Sequence, residues 1–108
     1  MDKAGMESYN DSLSYLYAAE AKQAERGRDY AQAEQLMRNA IKIHPGERAY
    51  IIGLAAILAK EAKSGEALKL LEEGRKGCGD ETCRLEYSTE LARQEQIERM
   101  IKRLKQVR

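Results

Sequence analysis

Two cysteines, Cys78 and Cys83, sit in the stretch GCGDETC, and the single histidine, His44, precedes the single proline, Pro45. These residues are the ones most capable of redox, metal or proton chemistry. Two cysteines at this spacing do not make a structural zinc site, which takes four ligands, and His44 is far away in sequence. The pair reads as two free thiols beside a turn, with a local disulfide as the alternative in an oxidising compartment. Proline disfavours helix in the residue before it, so His44 is expected to serve a turn or packing. The stretch GRKGCGD is glycine-rich but lacks the Lys-Ser/Thr pair and the preceding strand of a phosphate loop. Glu72 and Glu73 read as a solvated helix surface rather than as a general acid–base pair. No Ser/His/Asp set and no HExxH motif can be read. The expectation is a protein that is not an enzyme and carries no metal or cofactor.

The elements that would position any functional side chain are helices. The stretch RAYIIGLAAILAKEA, Arg48 to Ala62, is apolar nearly all round, and a helix of that kind is normally enclosed by others. Its length, its alanines and its freedom from proline decide for helix over strand. Before it, Asp11 or Ser12 offers an N-cap for a first helix running to about Arg26, with residues 1–10 expected to be a flexible N-terminus. Gly27 is expected to cap that helix. A second helix opens at Asp29 and must end near Ile43, because Pro45 and Gly46 follow. The third is expected to end around Lys63–Ser64, broken by Gly65. A fourth runs from Glu66 to Arg75 or Lys76. The last segment, 81–107, has no internal Gly or Pro and reads as one long helix. Short connections between consecutive helices predict antiparallel neighbours.

With 108 residues the chain is one domain at most. Charged residues make up 34%, and Phe and Trp are absent, so the core must be built from Leu, Ile, Ala, Met and Tyr. The N-terminus does not resemble a signal peptide, and no apolar run approaches the roughly 20 residues of a membrane span. The expected location is cytoplasmic. Net charge is +1 but uneven. Five bases and no acid follow Glu98, which leaves 14 bases and 18 acids in the body, a net of −4.

Sliding the chain against itself reveals an internal repeat. Ala33 meets Ala67 at an offset of 34, and at the same offset Tyr17 meets Ile51, Ala21 meets Ala55, Met37 meets Leu71, Ala40 meets Gly74 and Pro45 meets Gly79. A helix–turn–helix unit with this period resembles the tetratricopeptide repeat (TPR). Ile51, Leu54–Ala55 and Leu58 stand at the family's first-helix positions. Ala33, Met37, Ala40 and Pro45 stand at its second-helix positions, as do Ala67, Leu71, Gly74 and Gly79. Glu20 and Ala24 depart from the family's Leu and Tyr. A third unit, with Leu85, Thr89 and Ala92, has no second helix. The resemblance implies an all-α fold of five helices: antiparallel hairpins stacked as a short right-handed TPR-like solenoid over residues 11–108. Repeat one would span about 13–46, repeat two about 47–80, and a C-terminal helix about 81–107 would cap the stack with Leu85, Leu91 and Ala92.

The resemblance also implies a function. Such arrays bind peptides or helices of partner proteins on the concave face lined by each repeat's first helix. Carried over, that face would present Tyr15, Ala18, Lys22 and Glu25. Next to these would come Ala49, Ile52, Ala56 and Ala59, with Lys60 at the rim, and then Glu86, Glu90 and Arg93. The Lys/Asn clamp that some members use for a C-terminal carboxylate is not reproduced. A shallow apolar strip with charged rims would suit an amphipathic helix or an extended apolar segment. The alternative is coverage of the strip by the protein's own terminal segment or by a second copy. A second candidate surface is the stripe Ile97, Met100, Leu104 and Val107, with Ile101 alongside, which continues past a usual capping helix and could pack along the body, self-associate as a homo-oligomer, or continue into further residues. The bases around it read first as complementing the helix dipole; the alternative is contact with nucleic acid, an acidic lipid surface or an acidic protein, of which the absence of interleaved aromatics disfavours nucleic acid. The expected role is a non-catalytic protein–protein interaction module, a scaffold, adaptor or chaperone-like component. The alternative role is a self-assembling structural module.

Overall fold

The computed structural model describes the backbone of residues 3–106 and the side chains of residues 9–106. It is all-helical: α1 (Lys3–Arg26), α2 (Tyr30–Ile43), α3 (Arg48–Lys60), α4 (Ser64–Lys76) and α5 (Glu81–Gln106). Consecutive helices pack against one another as hairpins, and α3 touches α2, α4 and, more lightly, α5.

The helix–helix approach is set by alanine. Ala21, Ala33, Ala55 and Ala67 are all fully buried. Leu54, Ile57, Leu58, Met37 and Leu71 fill the space around them. Four small residues at hairpin interfaces bring the backbones close, and the large side chains then interdigitate between hairpins.

The turns repeat as closely as the core does. The Asp29 N–H donates to the Ala24 carbonyl and the Lys63 N–H to the Leu58 carbonyl, both at 2.9 Å. The Gly27 N–H donates to the Gln23 carbonyl and the Glu61 N–H to the Ile57 carbonyl, both at 3.1 Å. Each pair is separated by the same 34 residues as the core alanines. Between these bonds Arg28 and Ala62 both take a left-handed φ of 63°. This closure satisfies the last carbonyls of α1 and α3 in the manner usually assigned to glycine.

Three sequence expectations are corrected here. The first helix begins at Lys3 rather than at Asp11 or Ser12, so the expected flexible segment 1–10 is helical from Lys3 onward. No proline interrupts it, and Gly5 alone is too weak a break. At the turns, the left-handed residue is Arg28, not Gly27. The third helix ends at Lys60, with Gly65 inside the first turn of α4. Ala62 should therefore carry avoidable backbone strain. Ala62→Gly is expected to stabilise the domain by about 1 kcal/mol, seen as a rise of about 4 °C or more in the thermal midpoint. Ala59→Gly, one turn earlier in the helix interior, should lower it.

The cysteines are not free thiols. Cys78 and Cys83 form a disulfide with a Cα–Cα distance of 5.6 Å. It staples the end of α4 to the first turn of α5, where the Asp80 carboxylate also accepts the Cys83 N–H at 2.8 Å. These two ties set the rotation of α5, and the face it turns inward differs from the expected one. Tyr87, Leu91 and Gln94 are buried. Leu85 is 67% exposed and Ala92 is exposed, so of the expected capping residues only Leu91 caps. The 34-residue register thus stops at α4.

Candidate partner-binding face

Three side-chain contacts set the first helices of the hairpins beside one another. The Ser14 and Tyr50 hydroxyls lie 3.5 Å apart near the start of α3. At its end the Lys60 ammonium pairs with Glu25. Residue number rises along both helices between these points, so α1 and α3 run in the same direction. On the other side the Arg48 guanidinium meets Glu86 of α5 at 2.8 Å.

This arrangement creates a groove of about 330 Å³ between α1 and α3, lined by Tyr15, Ala18, Lys22, Glu47, Ala49 and Tyr50. Tyr15 is 67% exposed. The groove has two phenol rings, a small apolar floor and one charge of each sign at its edge. Such a lining can take an apolar side chain between aromatic faces and orient it with rim charges. Tyr15, Lys22 and Ala49 are brought together here. Ile52 and Ala56 are half-buried along α3, and Ile52 packs on the core. Ala59 and Lys60 fall into a different groove, shared with α5 and the α3–α4 turn. Of the expected α5 residues, Glu86 is engaged by Arg48. Glu90 accepts from the Gln94 side chain at 3.0 Å and lies 3.7 Å from Arg93. Ile97, Met100 and Leu104 are exposed, whereas Val107 lies outside the described residues.

Two polar clusters were not revealed by sequence spacing. At the junction of α1, α2 and α3, the His44 Nδ1 lies 3.4 Å from Asp11 and its ring stands edge-on to Tyr50. Ser14 is close by, but its hydroxyl donates to the Asp11 carbonyl at 3.0 Å and is fully buried. No nucleophile is presented to the imidazole there, and the cluster ties the end of α2 and the start of α3 to the middle of α1. His44 itself closes α2, its N–H donating to the Ala40 carbonyl, the turn role expected for it.

The second cluster lies over the α3–α4 turn. The Arg38 and Lys63 side chains both donate to Glu34, and Glu34 also contacts Glu61. Chiefly through Arg38, with help from Glu61 and Lys63, Glu34 is held at about 2. Its neighbour Glu61 is pushed up, first by the hydrogen bond to Glu34 and then by burial. The two shifts have opposite consequences. A lowered carboxylate adds stability above its ordinary value of 4.5, and this is lost as pH falls from there toward about 2. The raised Glu61 opposes folding once it ionises. The cluster fastens α2 to the turn, and its charges are spent on one another.

Among the described residues no group of three or more His, Cys, Asp or Glu side chains could hold a metal ion. No described helix is long and apolar enough to cross a membrane. Comparison with family models, with curated proteins and with solved structures found no match.

Proposed function

We propose that this chain is a non-catalytic protein–protein interaction module of the tetratricopeptide type, a short right-handed solenoid acting as scaffold, adaptor or chaperone-like component. It would hold a peptide or amphipathic helix of a partner protein in the groove between α1 and α3. The observation that carries the reading is the double repetition over 34 residues. The buried alanines and the backbone bonds that close the two turns recur at one spacing. Side-chain similarity alone could arise by chance, whereas an identical turn closure at the same offset supports two copies of one supersecondary unit. The groove contributes exposed aromatic surface without a nucleophile or a metal-ligand set, which favours recognition over reaction.

The Cys78–Cys83 bridge bears on location. Disulfides persist in oxidising compartments, so the bridge favours such a compartment over the cytoplasm.

The groove is tested by selection of binders from a library of short helical and extended peptides. Ile52 is a poor probe because it packs on the core. Tyr15 and Ala49 are exposed and give a clean one. Tyr15→Ala and Ala49→Glu should each weaken a selected peptide at least about tenfold, or about 1.4 kcal/mol, with melting nearly unchanged. Selected peptides that bind both variants as well as the parent would reject the α1–α3 groove as the site.

A further inference from the structure

The terminal helix outruns the body beside it. α3 has 13 residues and α5 has 26. Arg48 in the first turn of α3 pairs with Glu86, so Lys60 at the end of α3 is level with about Glu98. At about 1.5 Å per residue the rest of α5 extends roughly 12 Å further. Where it leaves the body, it forms a groove of about 490 Å³ with the α3–α4 turn. The floor is Ala59, Ala62 and Gly65, small enough for another helix to approach closely. One wall carries Ile101; the exposed Ile97, Met100 and Leu104 lie outside the lining, farther round α5. Lys60, Lys102 and Lys105 line the rim with Glu98; Lys60 is already paired with Glu25 of α1, so Lys102 and Lys105 are the cations the rim offers. Glu98 sits 3.8 Å from Lys102, and no acid follows it in the chain.

A concave, apolar-floored, cation-rimmed groove selects its occupant by shape and by charge. We propose that it docks an acidic amphipathic helix of a partner protein, at a second site separate from the α1–α3 groove. A partner helix with carboxylates flanking an apolar stripe satisfies floor and rim together. A flat anionic bilayer would engage the cations and leave the groove floor empty. Nucleic acid would lack stacking partners, since no aromatic follows Tyr87. A second copy of the same helix end would set Arg99, Lys102, Arg103 and Lys105 against an identical set, which is repulsive.

The test uses the whole chain and a fluorescein-labelled 18-residue helical peptide of Leu, Ala and Glu, with one leucine stripe flanked by glutamates. Fluorescence anisotropy should show saturable binding at about 50 mM salt, weakening several-fold at about 300 mM. Ile101→Glu, and the pair Lys102→Glu with Lys105→Glu, should each weaken binding at least about tenfold. Both changes lie on exposed side chains, and circular dichroism checks that the fold is kept. A peptide with lysine in place of glutamate should bind at least about tenfold more weakly. Tyr15→Ala should leave binding unchanged, so failure here and failure of the α1–α3 groove are read separately. Indifference to Ile101→Glu, or equal binding of the lysine peptide, would overturn the proposal. So would Ile101-dependent dimerisation in light scattering without peptide binding, or binding to phosphatidylserine vesicles in place of the peptide.

Discussion

Leu58→Glu is expected to leave no cooperative thermal transition in far-ultraviolet circular dichroism. Leu58 is 1% exposed and belongs to the cluster in which α3 meets its neighbours. Its carbonyl also accepts the Lys63 N–H that closes the α3–α4 turn, so side chain and backbone serve the same junction. Removing a buried leucine costs about 2–5 kcal/mol. An unpaired carboxylate in its place adds several more. A domain of this size has roughly 5–15 kcal/mol in all, so the sum takes most or all of what the fold can lose. Leu58→Met, which conserves volume, should cost under about 1.5 kcal/mol and retain the transition. A Leu58→Glu protein that melted like the parent would mean that α3 is not the enclosed helix described here.

Gly74→Ala is expected to destabilise the domain although alanine is the better helix former. A Cβ built at Gly74 would lie 2.4 Å from Cε1 and 2.6 Å from Cζ of Tyr87. Tyr87 is 2% exposed, so its packed ring has to move to admit the methyl group. Helix propensity favours the substitution by about 1 kcal/mol, and forced displacement of a packed ring costs about 1–3 kcal/mol. The helix containing Gly74 also bears Cys78's staple at its end, which prevents α5 from drifting away to relieve the clash. A net loss of up to about 2 kcal/mol follows, measurable by urea unfolding. The origin of the loss is shown by a double-mutant cycle. In the background Tyr87→Leu, the Gly74→Ala change should become neutral or stabilising, a coupling of at least about 1 kcal/mol. Purely additive effects would contradict the contact between Gly74 and Tyr87.

The same two residues illustrate what could be read without coordinates. The alanines at 21, 33, 55 and 67 were legible because hairpin packing needs small residues at fixed positions, and a repeat displays that need twice. At Gly74 the repeat placed a glycine opposite Ala40, and a helix-interior glycine signals close backbone approach. The residue that makes this approach, Tyr87, was hidden because α5 does not keep the repeat's register. Leu85 looked like the capping residue only while that register was extended. The staple at Cys78–Cys83 and the cap at Asp80 turned the helix, and neither is a periodic feature. The turns were obscure for a related reason. Arg28 and Ala62 carry no sign of a left-handed conformation, since the nearby glycines Gly27 and Gly65 drew attention to the wrong positions. On the candidate site, Tyr15, Lys22 and Ala49 were placed together by the resemblance, whereas Ala59 and Lys60 joined another groove. That separation depends on which face α5 turns toward α3, which spacing alone does not fix.

The domain measures 62 × 34 × 16 Å. A slab this thin has no deep central core. Its contacts are mostly between helices adjacent in sequence, which makes for low contact order and rapid folding. Each hairpin can form its own turn before the other exists, and the interface between them adds afterwards. Protection from hydrogen exchange should therefore be graded along the chain, greatest in α3, which has neighbours on both sides, and falling away toward the free end of α5.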